Sequence, residues 1–479
     1  MQRQLMILEV SRKQAYIFDP RVLKENRKRS AQIDYVTSSA FFERCCPESY
    51  DSHENMVYSG GGHTVLQFDD AEQATRFAQT ISEYVLRNFP DMELFIKQHP
   101  YDDALTPGEN LNQLSKALEQ KKSRRAASFR LLNMGFEKAG NFPEPPVPYK
   151  EVPVPAGWEL TDDTDEITGK EDNFLAVIHI DGNSMGKRVQ TIYDSNKTDW
   201  SACVEKLRQF SSQIDLHFAQ AYDEMAADLA KALEKDRSAR KLPLRKIIGA
   251  GDDICFVTAG SLGLECAASY MKHLSEKVNQ ADGMAYTACA GVVLIHKKFP
   301  FRRGYDLSEE LCSSAKRFVA ENGGDFCAMD YHIEFGQMKA SLSQIRQDYQ
   351  TEDGGRMELR PVAVTGAVCS ERQYEFLAAL IGQMKNNAEG IARSKIKALR
   401  TAFRQGEVES KFAMRMTQAE DVLYRGLNER FPDLYRRLVG GEKVVKEAFF
   451  DDNGVRRCLF FDAIELSDNT TLWAHQEVK

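Results

Sequence analysis

Three aspartates stand where a metal-dependent phosphoryl transfer would need them. Asp181 ends the apolar run FLAVIHID (174–181), and Asp252 and Asp253 close the GAGDD inside KIIGAGDDICFVTAG, 71 and 72 residues further on. An apolar run ending in a carboxylate predicts a buried strand that delivers an acid to its end, and GDD between two β-rich runs predicts a hairpin tip. With those strands as neighbours in one sheet, the three carboxylates converge. Such a set suits two magnesium or manganese ions, because hard cations take oxygen ligands and can clamp the attacking and leaving oxygens of a phosphoryl displacement. Asp181, Asp252 and Asp253 are therefore the predicted catalytic and metal-holding residues. Singly, a GDD or DGN turn is more often structural; the order in which they occur carries the reading.

Residues that could hold a nucleotide flank these acids. Gly249-Ala250-Gly251 permits a tight turn and lets a triphosphate approach Gly251, while Gly182, Asn183, Ser184, Gly186 and Lys187 offer amides and an ammonium beside Asp181. GNSMGK is not a Walker A loop, since three residues and not four separate its glycines. Lys316, in SSAKRF, reads either as a surface lysine on a buried stem or as a triphosphate ligand.

The elements that must position these residues follow the order of a palm. After the strand at 174–181 comes an amphipathic helix over about 203–235, with Leu207, Phe210, Ile214, Phe218, Met225, Leu229 and Leu233 on its buried side. The GDD hairpin, a helix over 262–279, the strand AYTACAGVVLI, a helix over about 306–320 and the strand FCAMDYHI complete the pattern. Upstream, LMILEVS, AYIF and the glycine-broken MVYSGGGHTVLQF lead into a helix with Ala74, Phe77, Ile81 and Val85 on one stripe. The predicted fold class is α+β, with a first palm-like domain at 1–103 and an inserted element and linker at 104–172, in which KKSRR reads as disordered. A second, catalytic palm follows at 173–340, then a mainly helical domain at 341–479 with a hairpin over 445–466 turning at Asp451-Asp452-Asn453-Gly454.

IDGNSMGK, GAGDD, AGVVLIHKKFP and SSAKRF, in this order, together resemble the second palm domain of CRISPR-associated protein ten, the large subunit of type III CRISPR effector complexes. The resemblance implies two ferredoxin-like palms related to GGDEF proteins and class III nucleotide cyclases, and an activity that condenses ATP into cyclic oligoadenylates. It puts Asp181, Asp252 and Asp253 at the family's metal positions and Lys316 at a lysine associated with the triphosphate. VSRKQAYIF and YSGGGHTVLQF are similar to the family's first palm, whose glycines here, Gly60, Gly61 and Gly62, come with no carboxylate, so this palm is expected to hold a nucleotide and not to catalyse. Two departures stand out: Ala250 where the family often has glycine, and Asn183 where it often has a second acid. The resemblance also leads to the expectation of no N-terminal HD nuclease domain and no DNA cleavage.

Composition narrows the alternatives. At 479 residues the chain has length for roughly three domains, and 42% hydrophobic with 28% charged residues is ordinary for globular proteins. A net charge of −8 excludes whole-chain attraction to nucleic acid, so RNA contact needs a local patch such as Arg393, Lys397, Arg400 and Arg404, for which a solvated face is the plainer reading. His179 and His296 lie in strand patterns and read as packed or rim residues. The ten cysteines include no CxxC, and no HExxH occurs, which argues against the common zinc sites. With no membrane span and no secretion signal, a cytoplasmic protein is expected. The leading function is a two-metal nucleotidyltransferase that makes a cyclic or linear oligonucleotide messenger from ATP or another nucleoside triphosphate. The competing reading is a non-catalytic palm scaffold or nucleotide sensor that binds RNA or a protein. Base choice, an RNA or protein activator and oligomeric state stay open.

Overall fold

The computed structural model describes residues 3–124, 147, 153–169, 172–234, 241–336, 339, 341–366, 371–385, 392–424, 431–432, 436 and 447–473. Its N-terminal sheet is built from β1 (Gln4–Ser11), α1 (Lys13–Phe18), α2 (Leu23–Val36), β2 (Met56–Gly60), β3 (His63–Phe68), α3 (Ala71–Asn88) and β4 (Glu93–Pro100). The strand order is β2-β3-β1-β4, all antiparallel. β1 is central and buried along nearly its whole length, which is why it reads as a continuous apolar run. α3 buries Ala74, Phe77, Ile81 and Val85, the stripe its sequence predicts.

Pro107–Ser123 forms α4, which packs on β4 and β1. Thr106 starts it with a capping box: its hydroxyl accepts from Glu109 N while the Glu109 carboxylate accepts from Thr106 N. This corrects the reading of KKSRR as disordered. Lys122 lies 2.9 Å from Glu9 and 2.7 Å from Glu119, and Lys121 donates to Ile96 O at 2.7 Å. Partners on β1 and β4 hold these charges; Arg125 lies outside the described residues.

The second sheet contains β5 (Phe174–Gly182), β6 (Leu244–Ala250), β7 (Asp253–Ala259), β8 (Ala288–His296), β9 (Ala328–Ile333) and β10 (Val362–Ala363) in the order β10-β9-β8-β5-β7-β6. Within it β8-β5-β7-β6 repeats the β4-β1-β3-β2 order of the first sheet, so both are ferredoxin-like palms. Its helices are α5 (Met185–Ser195), α6 (Trp200–Ala232), α7 (Gly263–Ser275) and α8 (Phe301–Glu321). The predicted apolar face of α6 is buried except at Leu233, which lies at the helix's C-cap.

The palms lock reciprocally: α6 of the second packs on β2 of the first, and α2 of the first packs on β6 of the second. α1 lies against α8, with the Phe18 ring 4.0 Å from Tyr305 and 5.7 Å from Phe301 between centroids.

The C-terminal part holds α9 (Tyr374–Lys385), α10 (Arg393–Gln405), α11 (Glu407–Met416), β11 (Phe449–Asp452), β12 (Val455–Cys458) and α12 (Phe461–Leu466). The hairpin expected over 445–466 is shorter than predicted, because Phe461–Leu466 is a helix. A helical turn sets Asp462 and Glu465 on one face, where both reach the fully buried guanidinium of Arg360, at 2.9 and 2.7 Å. Among the described residues no helix is long and apolar enough to cross a membrane.

Candidate active site

Asp181 and Asp253 are register partners across the antiparallel pair β5 and β7, and Asp252 occupies the tip between β6 and β7. Gly182 N donates to Asp252 O at 3.2 Å, tying the end of β5 to the hairpin tip. α8 brings in Lys316, whose Nζ lies 2.6 Å from Asp181 Oδ2 and 3.4 Å from Gly182 O. Burial opposes the charge on Lys316, but the Asp181 carboxylate outweighs it and the lysine pKa is raised.

The other two acids are harder to ionise. Burial, reinforced by the charge of Asp181, pushes Asp252 up to about 6 and Asp253 up to about 7. His179 Nδ1 stands 3.3 Å from Asp253 Oδ1, yet both buried atoms lack a hydrogen-bond partner. Burial lowers the His179 pKa, so the ring is neutral and packed, as expected of it, and does not neutralise Asp253. His296 is exposed at the rim.

Among the described residues no three His, Cys, Asp or Glu side chains form a ready metal cage, and Lys316 already occupies Asp181. The donor set nevertheless fits a divalent cation. A buried carboxylate oxygen of Asp253 has no partner, and burial with the charge of Asp181 holds Asp252 and Asp253 back from ionising; an oxygen-loving cation answers both.

The two glycine-rich hairpins meet. Gly251 has φ 65°, and a Cβ there would stand 3.1 Å from Gly61 N, so only glycine allows this approach. Asp215 on α6 accepts from Gly251 N at 3.0 Å. Beside the contact lies a cavity of about 850 Å³, lined by Gly60, Gly61, Gly62, Gly251, Phe218 and Lys246 among others.

The candidates after Asp181 stand apart from that cavity. Asn183 N donates to Thr287 O at 2.8 Å, and its side-chain amide reaches Thr287 Oγ1 and Phe326 O at 3.2 and 3.3 Å, so it braces the turn from inside. Ser184, in the left-handed conformation (φ 60°), Gly186 and Lys187 are exposed around the start of α5.

Two residues near the acids escaped the sequence reading. Lys13 at the start of α1 donates to Gly61 O and senses the charges of Asp253 and Asp252. Glu309 on α8 accepts from Tyr305 Oη at 3.1 Å and from Gln14 Nε2 of the first palm at 3.3 Å. The available signal for Lys13 was its place just after the central strand of the first palm, where Asp181's strand ends in the second.

The basic stripe of α10 is a solvated face, as its plainer reading has it, with surface pairs along it. Arg393 and Lys397 pair with Asp468, Arg400 lies 3.6 Å from Glu465, and Arg404 donates to Asp348 O.

A pair of interlocked palms with acids at one hairpin tip defines the architecture. Residues 174–323 match the family model described as Cas10/Cmr2, second palm domain, and in this part the chain is similar to that domain. The chain is also similar to the crystal structure of Csm1 from T. onnurineus, with a TM-score of 0.61 at 15% identity, covering 98% of this chain and 70% of that one. The Csm1-Csm4 cassette in complex with cA4 gives 0.59 at 15% identity, and with AMPPNP 0.57 at 16%, each covering 97% of this chain and 69% of the other. At these identities the likeness shows the fold. No curated protein matches the sequence.

Proposed function

We propose that the chain is a nucleotidyltransferase that condenses ATP into a cyclic or linear oligoadenylate, in antiviral defence related to type III CRISPR. The observation that carries this is the register pairing of Asp181 with Asp253, with Asp252 at the adjoining tip, inside a Cas10/Cmr2-type palm. Solved relatives of the same fold are complexes with cA3, cA4 and AMPPNP, which supports an adenine nucleotide as substrate. The reaction is attack of a ribose hydroxyl on an α-phosphate with departure of pyrophosphate. Magnesium or manganese, held by Asp181, Asp252 and Asp253, would supply neutralisation of the phosphate charge. Gly60, Gly61, Gly62 and Gly251 let nucleotides approach backbone at the junction of the palms, and the adjoining cavity of about 850 Å³ has room for them. Csm1 stands with Csm4 in the matched cassettes, and a protein subunit or an RNA as activator belongs to this proposal.

The Lys316–Asp181 pair favours a second reading, a nucleotide sensor or scaffold, because it neutralises one acid without a metal. Incubating the purified chain with labelled ATP, GTP, CTP and UTP, with magnesium or manganese, separates the two. Oligomeric product from ATP, absent when Asp252 and Asp253 are both alanine, supports the enzyme; ATP binding without product from any nucleotide supports the sensor.

A further inference from the structure

We propose that Lys13 is a phosphate-binding residue at the junction of the two glycine-rich hairpins. This rests on the nucleotide reading above and names a residue that reading does not use.

Lys13 opens α1 directly after Arg12, which adopts the left-handed conformation (φ 53°, ψ 40°) that a non-glycine residue takes only at a cost of about 1 kcal/mol. The turn thus sets the lysine at the edge where the palms meet. Its ammonium donates to Gly61 O, the residue whose N abuts Gly251, one position before Asp252. Its stem fills the space left by a glycine: a Cβ on Gly62 would stand 3.1 Å from Lys13 Cδ and 3.3 Å from Cε. Lys13 is therefore packed into the tip-to-tip contact, with its charge at the junction.

The charges around it are unequal. Lys316 is ion-paired with Asp181, and its charge also reaches Asp252 and Asp253. Glu9, already paired with Lys122 at 2.9 Å, is the largest charge acting on Lys13, followed by Asp253 and then Asp252. Burial works against the ammonium and lowers its pKa, so a further anion in contact would be bound strongly. A metal-bound triphosphate supplies what the site lacks, a cation for the two acids and anionic oxygens for the two lysines. The first palm's hairpin, Gly60-Gly61-Gly62-His63, has no carboxylate, and Lys13 on α1 brings an ammonium against it. Lysine acts on phosphate as a point charge, so the contact selects phosphate and not base.

The test uses the full chain and two ligands, a non-hydrolysable ATP analogue with magnesium, and adenosine. Lys13→Met keeps the apolar stem and removes the charge; Lys13→Arg restores a cation. The expected result is an affinity for the ATP analogue about tenfold lower or worse in Lys13→Met, largely recovered in Lys13→Arg, with adenosine affinity unchanged and Tm within about 2 °C of the parent. Equal analogue affinity in Lys13→Met and parent overturns the inference. Parallel loss of adenosine binding or of Tm also overturns it, by making Lys13 a packing residue, and so does a parent chain that binds no ATP analogue. If the parent binds the analogue through Lys13 yet makes no product, the inference stands and the transferase reading fails.

Discussion

Lys316 Nζ lies 2.6 Å from Asp181 Oδ2, on the strand end where Asp181 also faces Asp253 in register. An ammonium in that place can pass from the carboxylate to a phosphate oxygen and leave the carboxylate to a cation. Side-chain exposures of 37% and 36% for the two partners mean that water screens the pair, so its exchange costs little, and by the general range for exposed pairs it is worth about 0–1 kcal/mol. Lys316→Ala is accordingly expected to lower ATP affinity about tenfold while moving Tm by no more than a few degrees. Titration of the purified variant with ATP decides this, and unchanged affinity would leave Lys316 as an ion-pair residue only.

Asp252→Ala combined with Asp253→Ala should abolish product formation and leave a folded, slightly more stable chain. Both acids stand at a hairpin tip and resist ionisation through burial and the charge of Asp181, so their removal relieves that cost and empties no core. Asp181→Asn should also abolish product, since an amide is a poor ligand for a hard cation. Circular dichroism and thermal melting check the fold, and chromatography of the reaction checks product; full turnover in a folded double variant would remove the site assignment.

The raised carboxyls also set a pH dependence. Asp252 at about 6 and Asp253 at about 7, against an ordinary 3.8, mean that these two carboxyls hold more protons in the folded chain than in the unfolded chain between roughly pH 4 and 7. Their contribution to stability is therefore lost as pH rises through that window. Asp253 keeps 37% of its side chain exposed, so solvent limits the size of the effect. His63, His179 and His332, whose pKa values burial lowers, favour the folded chain as pH rises, so the comparison is with Asp252→Asn combined with Asp253→Asn. Between pH 5.5 and pH 8 the metal-free parent should lose Tm relative to that variant, and magnesium should raise the parent's Tm more at pH 8 than at pH 5.5, a trend the variant flattens. A magnesium effect equal at the two pH values would separate the cation from these acids.

What was legible in the sequence was what local pattern decides. β5 is buried on both faces and so reads as an apolar run with Asp181 at its end, and the α3 stripe of Ala74, Phe77, Ile81 and Val85 follows directly from helical spacing. What was not legible depends on distant partners. KKSRR reads as loose charge because the acid that holds Lys122, Glu9, is 113 residues away. FDAIEL is too short to declare itself helix or strand, and it is the buried Arg360 that calls for carboxylates three residues apart. Lys13 sits among ordinary surface-like residues in sequence, and only the meeting of Gly61 with Gly251 puts it beside the acids.

The meeting of the two tips can be tested apart from stability, because its glycines differ. Gly61 and Gly251 both have positive φ, 57° and 65°, so alanine at either is strained by about 1–2 kcal/mol. Their surroundings are unequal. A Cβ on Gly61 meets only His63 Nδ1 at 3.9 Å, whereas a Cβ on Gly251 meets the backbone N of Gly61 at 3.1 Å, an atom that cannot swing aside. Gly251→Ala therefore asks the backbone at Gly61 to give by a few tenths of an ångström at the tip, and Gly61→Ala asks nothing of Gly251. The two variants should lose similar Tm, by a few degrees, while Gly251→Ala loses about tenfold more turnover, and a bulky Gly61→Trp, which does intrude on the neighbouring cavity, behaves like Gly251→Ala without loss of magnesium binding. If Gly251→Ala and Gly61→Ala lowered turnover equally, the effect would be backbone strain alone, and the junction of the hairpins would have no part in the reaction.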